Sequence, residues 1–387
     1  EASNQSSLAG GEFSIASGYT SLAIGSGVTA SGLESTAFGK NTTASGDNAT
    51  AIGESTQASG HRATAMGIST IASGPISTAI GNQTEASNQS SLAGGEFSIA
   101  SGYTSLAIGS GVTASGLEST AFGKNTTASG TRATAMGENT QAIGENSTSM
   151  GQNTQASGSE STAMGYLTHA EAVYSTAMGN QTIATGWAST AMGTNTEADG
   201  LGSSSMGVYT KASDYGSLAI GHYNLLGSTA TTSNNEFSSS NTAFIVGNGT
   251  DENNRSDAFV VMFNGDATLA GNLSVNSDAR LKSNIISLGS TMSKLLEIDG
   301  KSYIMKKDEK KEQKIGLLAQ DIEKVFPELV SESNGIKSVN YQGLVPVLIN
   351  ALKEQDVKMK EQQMEIESLR DQEKRIDRLE KLIAQLD

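Results

Sequence analysis

A period of fourteen residues governs the first 225 positions and leaves few folds open to them. Residues 1–46 recur unchanged at 85–130, an offset of 84, or six times 14. Written in fourteens from Ala2, the chain keeps register for sixteen repeats, to Leu225. Position 1 is Ala in all sixteen, from Ala2 to Ala212, and position 10 is Gly in all sixteen, from Gly11 to Gly221. Position 8 is Ala in fourteen repeats and Ser in two, Ser149 and Ser205. Position 9 is Ile, Phe or Met in fourteen, with Gly10 and Gly94 as the exceptions. A disordered Gly/Ser/Thr linker does not hold such a register, whereas stacked structural repeats do.

Positions 6, 8 and 10 are small and the residues between them larger. That alternation has the period of a strand and reads as a short strand over positions 6–10. The invariant glycine is expected to end it, at a point of positive φ or close backbone approach. A polar run at positions 11–14 suits a turn, and the Ala at position 1 begins a second short strand. Coils of this kind stack at ~4.8 Å, so sixteen extend for about 75 Å. Each coil is expected to enclose mainly the position 9 side chain and small residues. So thin a roll is poorly stable alone, and neighbouring chains should cover its remaining apolar surface.

Segments such as Ser21-Leu-Ala-Ile-Gly25, Ser35-Thr-Ala-Phe-Gly39 and Ser175-Thr-Ala-Met-Gly179 resemble the head repeat of trimeric autotransporter adhesins. The resemblance covers about 2–225. It implies a left-handed parallel β-roll with three chains around one axis; heads of this family bind varied targets.

Charge divides the chain. Residues 1–225 hold 5 Lys+Arg and 15 Asp+Glu, whereas residues 277–387 hold 19 and 20. The net charge of −15 disfavours nucleic acid as a partner. The absence of cysteine excludes disulfides, thiol nucleophiles and thiolate metal sites. The three histidines, His61, His169 and His222, lie far apart, so neither metal nor cofactor is expected. No run of 18 apolar residues exists, and no membrane insertion is expected. No signal peptide is visible, and Glu1 falls inside a repeat, so residues are expected upstream of it.

Residues 226–276 read as a connector: a polar linker, then a β-rich neck at about 241–276. Thr242–Val246, Ala258–Phe263 and Ala267–Val275 are strand candidates, with turn signals at Asn248-Gly249 and Asn264-Gly265. Asp251 and Glu252 suit a solvated loop better than a calcium site.

From Ser277 the pattern becomes that of a charged α/β module. Ile315–Leu318 and Val339–Tyr341 are strand candidates, and Ala319–Phe326 is a helix stopped before Pro327. A helix from Leu344 runs on to about 386. Leu369, Ile376 and Ile383 are seven apart, with Leu379 and Leu386 in the companion positions of a coiled coil; Gln362 and Gln372 weaken that seam.

Ser277-Asp-Ala-Arg-Leu-Lys282-Ser-Asn-Ile, Gly316-Leu-Leu-Ala-Gln-Asp321 with Pro327-Glu-Leu-Val330, and Val339-Asn-Tyr341 resemble, in that order, the intramolecular chaperone that ends endosialidase and other phage tail fibres and spikes. That family trimerises, templates folding of the fibrous part upstream, and cuts itself off before the motif serine. The resemblance implies Ser277 as nucleophile, Lys282 as its base and Asn276–Ser277 as the scissile bond. The chemistry is sound: a serine hydroxyl needs a base, and a lysine serves when desolvation or a nearby cation lowers its pKa. Asp278 and Arg280 either orient the site or form a salt bridge that fixes the loop.

The reading is of a trimeric tail-fibre or spike-like structural and receptor-binding protein, on the outside of a virion or phage-tail-like particle. Its enzymology is one self-cleavage per chain, with no activity in the repeats. The alternative is a bacterial cell-surface adhesin that keeps the C-terminal module as a trimerisation cap; the adhesin family itself ends in a membrane β-barrel. A glycan-cleaving enzyme needs paired carboxylates, and the acidic residues of the repeats stand singly. Tyr166, Tyr174, Trp187, Tyr209 and Tyr215 are the aromatic residues that could meet a receptor. Trp187 and Tyr215 are the candidates for stacking on sugar rings.

Overall fold

A computed structural model of the chain describes residues 1–226, 234–306 and 311–385. It divides into two compact units, Glu1–Leu273 and Ser274–Asp387.

The first unit is a parallel β-solenoid of 14-residue coils. After the first coil, whose strand is Leu8–Gly10, each coil contributes a five-residue strand at positions 7–11, such as Leu22–Ser26 or Thr36–Lys40, and successive coils are joined by two-residue strands at positions 14 and 1, such as Thr29–Ala30. Like pairs with like in the next coil: Ile24 faces Phe38, and Ala30 faces Ala44. Two left-handed residues turn each coil. They fall at positions 5 and 12, as at Glu34 (φ 55°) and Asn41 (φ 56°). Residues able to bond their own backbone occupy many of these corners.

The invariant glycine lies inside the long strand rather than at its end. Gly39 has φ 128°, and a Cβ there would stand 1.9 Å from the carbonyl oxygen of Gly53. Both the conformation and the approach of the next coil therefore demand glycine, and the ladder runs through it.

The interior also differs from the expectation. From Ala16 on, Ala at positions 1 and 8 is buried, as at Ala30, Ala37, Ala44 and Ala51, together with the Ser or Ala of position 6 and the Thr, Val or Ser of position 13. The position 9 side chains stand outside: Phe38 and Phe122 are half exposed. Successive strand residues face opposite ways, so an inward Ala at position 8 sends positions 7 and 9 outward. The coil is too narrow to reverse that choice, and a phenylalanine would not fit where alanine touches alanine.

Several position 13 hydroxyls, including those of Thr42, Thr56 and Thr70, are buried without a hydrogen-bond partner. The two coils with Ser at position 8 answer this. Ser149 Oγ lies 2.7 Å from Thr154 Oγ1, and Ser205 Oγ lies 2.9 Å from Thr210 Oγ1.

The long-strand sheet continues past Leu225. Thr242–Asn248 pairs in parallel with Leu218–His222, Leu218 against Phe244 and Gly221 against Gly247. The offset there is 26 residues rather than 14, which hides the continuation from a search for the period. Asp257–Met262 and Ala267–Leu269 then pair antiparallel and end the ladder. Polar side chains lock this end. Asp214 accepts from Thr242 N at 2.7 Å, buried Asn224 bonds both backbone groups of Lys211, and Arg255 donates to Tyr209 O at 2.9 Å while covering the Tyr223 ring. Of the linker, residues 227–233 lie outside the described residues.

Among its described residues the second unit packs three α-helices with two hairpins. We label its helices α1 (Met292–Leu295), α2 (Ala319–Val325) and α3 (Leu344–Ile383). The hairpins pair Lys301–Ile304 with Gln313–Gly316 and Val330–Ser333 with Ile336–Val339. Ile322, Phe326 and Val347 form the centre of the core. Beyond Glu354 every described residue of α3 is exposed, Leu369, Ile376, Leu379 and Ile383 among them; Leu386 lies outside the described residues.

Candidate self-cleavage site

Ser277 and Lys282 are brought together by one tight turn. Asp278 caps a 3-10 turn at Ala279–Leu281, its carboxylate accepting from Arg280 N at 2.9 Å. The Lys282 N–H closes the turn on Ala279 O. The chain doubles back, and Lys282 Nζ donates to Ser277 Oγ at 2.7 Å.

Asp278 and Arg280 pair with each other rather than with the serine or the lysine. Arg280 Nη2 lies 2.6 Å from Asp278 Oδ2, and Arg280 Nε reaches both carboxylate oxygens. The guanidinium holds the Asp278 carboxyl below its usual range, and Asp278 in turn raises Arg280. Both groups are exposed, so the pair shapes the turn more than it stabilises the fold. Arg280 is thereby neutralised as a cation that would activate Lys282.

Among the described residues nothing covers this site. Every residue from Phe263 to Ser290 is exposed, the apolar Leu273, Val275, Leu281, Ile285 and Ile286 included. A lysine acts as a base where burial or a nearby cation disfavours its charged form, and Lys282 lies in an exposed stretch.

One anchor of the segment was not legible in the sequence. Glu354 of α3 accepts from Ser290 Oγ at 2.6 Å and from the backbone N–H groups of Thr291 and Met292. Thr291 Oγ1 also donates to Val347 O at 2.9 Å. These bonds hold the Glu354 carboxyl below its usual range, the Ser290 hydroxyl first among them. They cap α1 from another helix, at a separation of more than 60 residues that no local pattern signals.

The aromatic candidates are dispersed. Trp187 is half exposed and meets Tyr174 edge to face at 5.5 Å. Tyr215 is half-buried and packs against Phe237 at 6.3 Å. Both occupy position 4, but two coils apart with Leu201 between, about 10 Å by strand spacing. Tyr209 stacks on Tyr223. Asp251 spends its carboxylate on Asn253 N, Asn254 N and Asn254 Nδ2. Among the described residues no group of three or more His, Asp or Glu is placed to hold a metal, and no helix is long and apolar enough to cross a membrane.

Comparison with known families agrees with both halves of the chain. A family model described as chaperone of endosialidase matches residues 277–331, starting at Ser277. A second, the YadA head domain repeat, matches residues 30–54, 58–84, 114–140, 142–168, 170–196 and 198–224. No curated protein matches the chain in sequence. The chain is thus a run of YadA head repeats joined to an endosialidase-type chaperone domain, the make-up of an adhesin- or fibre-like protein that carries its own assembly module.

Proposed function

We propose that this chain forms a homotrimeric tail fibre or spike whose C-terminal module assembles three copies and then cuts itself off at Asn276–Ser277. The observation that carries the proposal is the 2.7 Å bond between Lys282 Nζ and Ser277 Oγ at the point where the chaperone family match begins. Lys282 takes the hydroxyl proton, Ser277 Oγ attacks the Asn276 carbonyl carbon, and the proton passes to the departing Ser277 nitrogen, leaving an ester.

Trimer formation is supported by what one chain leaves uncovered. The position 9 residues make a ladder of aligned apolar side chains along one face, running from Ile24 and Phe38 to Met206 and Ile220 and broken at Gly94. The heptad residues of α3 and the apolar residues flanking Ser277 are uncovered as well. Three copies around an axis would bury all three sets and dry Lys282, so cleavage follows assembly. The cut fibre is then held by a kinetic barrier, since the module that templated it is gone.

The solenoid reaches a receptor outside the particle, with Trp187 and Tyr215 as separate glycan contacts. The YadA head repeats also favour a second reading, a bacterial surface adhesin that keeps the module as a cap. Expression of the intact chain distinguishes them. The fibre reading expects a fragment starting at Ser277, abolished in Ser277→Ala and Lys282→Ala while both variants still trimerise. A wild-type chain that trimerises and stays whole sinks the cleavage and leaves the cap. Equal cutting of Ser277→Ala and wild type removes Ser277 as nucleophile.

A further inference from the structure

An ester at Ser277 has to be resolved, and its turn offers few groups for the task. Lys282 Nζ sits on the Ser277 hydroxyl. Both oxygens of Asp278 accept from Arg280. Residues 277–387 contain no histidine. Lys282, released once Ser277 is acylated, is then the one base of the turn, and whatever attacks the ester must give its proton to it.

One neighbouring group needs no water. Asn276 carries a carboxamide on the acyl side of the scissile bond. It is exposed and stands in irregular backbone outside any strand or helix, free to bring its side chain onto its own carbonyl. Attack by Nδ2 on that carbon closes a five-membered ring. Well-oriented intramolecular attack has effective molarities on the order of 10⁵ M and above, far beyond a water that must use the same base.

We propose that Asn276 is a catalytic residue of the self-cleavage: its Nδ2 displaces Ser277 Oγ from the ester, and the upstream fragment leaves with a C-terminal succinimide. The proposal rests on the Ser277–Lys282 reading above. In the first step the Asn276–Ser277 C–N bond breaks, a C–O bond to Ser277 forms, and the hydroxyl proton ends on the freed Ser277 amine through Lys282. In the second the C–O bond breaks and a C–N bond to Nδ2 forms. A proton from Nδ2 passes through Lys282, neutral again after the first step, to Ser277 Oγ. No water is consumed and no outside reactant is needed. Asn276 then serves as more than the residue before the cut, and the downstream fragment emerges with Ser277 unmodified.

The test is the intact mass of the upstream fragment from the full chain, quenched at mildly acid pH where a succinimide persists. The expected fragment is lighter by one water than residues 1–276 with a free carboxyl, and carries no label when cleavage runs in water of heavy oxygen. On raising the pH the ring opens to two isomers, asparagine acid and its α-amide counterpart, which chromatography separates. Asn276→Ala is expected to slow release about tenfold or more, without loss of trimer. A single fragment at full mass, labelled from the first time point, with Asn276→Ala cut as fast as wild type, overturns the proposal and leaves Ser277 and Lys282 in place. A wild-type chain that is never cut overturns both.

Discussion

The two units bury opposite kinds of residue. The solenoid encloses alanine, serine and threonine and turns its phenylalanines and methionines outward, as at Phe122 and Met136. The C-terminal module encloses Ile322, Phe326 and Val347, as ordinary globular cores do. The difference shows where each draws its cohesion. In the solenoid, backbone ladders and close alanine contacts hold coil to coil, and the larger side chains stay on the outside. In the module, large side chains hold the fold, while α3 beyond Glu354 and the segment around Ser277 stay exposed.

The sharpest way to break this comparison is at the glycine column. A Cβ at Gly53 would lie 1.9 Å from Gly67 O, with φ at 133°, so Gly53→Ala is expected to cost about 4 kcal/mol or more and to unfold neighbouring coils. Gly271 has nothing within 4 Å of its Cβ position, and Gly271→Ala is expected to leave the melting curve unchanged. Thermal denaturation of both variants checks this. Equal behaviour would mean that the ladder does not carry the solenoid.

Next comes the outward ladder. Phe122→Ser removes a half-exposed ring, so the fold of a coil is expected to survive. Association should weaken by about 1–2 kcal/mol for each copy, read as a shift in the concentration dependence of sedimentation. An unshifted isotherm would move the interface to another face.

The module is probed through Glu354. Its carboxyl is lowered in the folded state, so the stability it adds is present at neutral pH and is lost as pH falls through the carboxylate range. Glu354→Gln is expected to lower the module's melting midpoint at pH 7 and to flatten its decline in acid, with the solenoid transition unmoved.

The smallest effect concerns the solenoid interior. Thr56 Oγ1 is buried and unpaired, and Ala51 occupies the place that Ser149 holds beside Thr154. Ala51→Ser should therefore stabilise by about 0.5–1 kcal/mol, seen as a higher melting midpoint. A lower one would mean that the added oxygen crowds the coil.

The cleavage turn shows how far local sequence reading reaches. Ser277 and Lys282 are found by their motif, and a spacing of five residues admits a turn. Their contact at 2.7 Å follows only from the Asp278 cap that folds the chain back. The pairing of Asp278 with Arg280 was one of two readings open from composition, and the geometry places both side chains on each other. Glu354 was invisible because its partners are more than 60 residues distant.

By itself the sequence determined the coil: a period of 14 kept for sixteen repeats, the glycine column, the small-residue face and the change of character at Ser277. These are legible because a parallel in-register stack sets equivalent residues one above another, so each position meets the same demand in every coil. Only the tertiary structure decided which side of the strand closes. Alternation says that positions 8 and 9 face apart, not which of them faces in. That depends on the two left-handed corners, Glu34 and Asn41 in one coil, which fold the strands so close that alanine alone fits between them. The same distance argument hides the last parallel strand, Thr242–Asn248: its register is set by pairing with Leu218–His222 across an insertion, and pairing across space leaves no period in the chain.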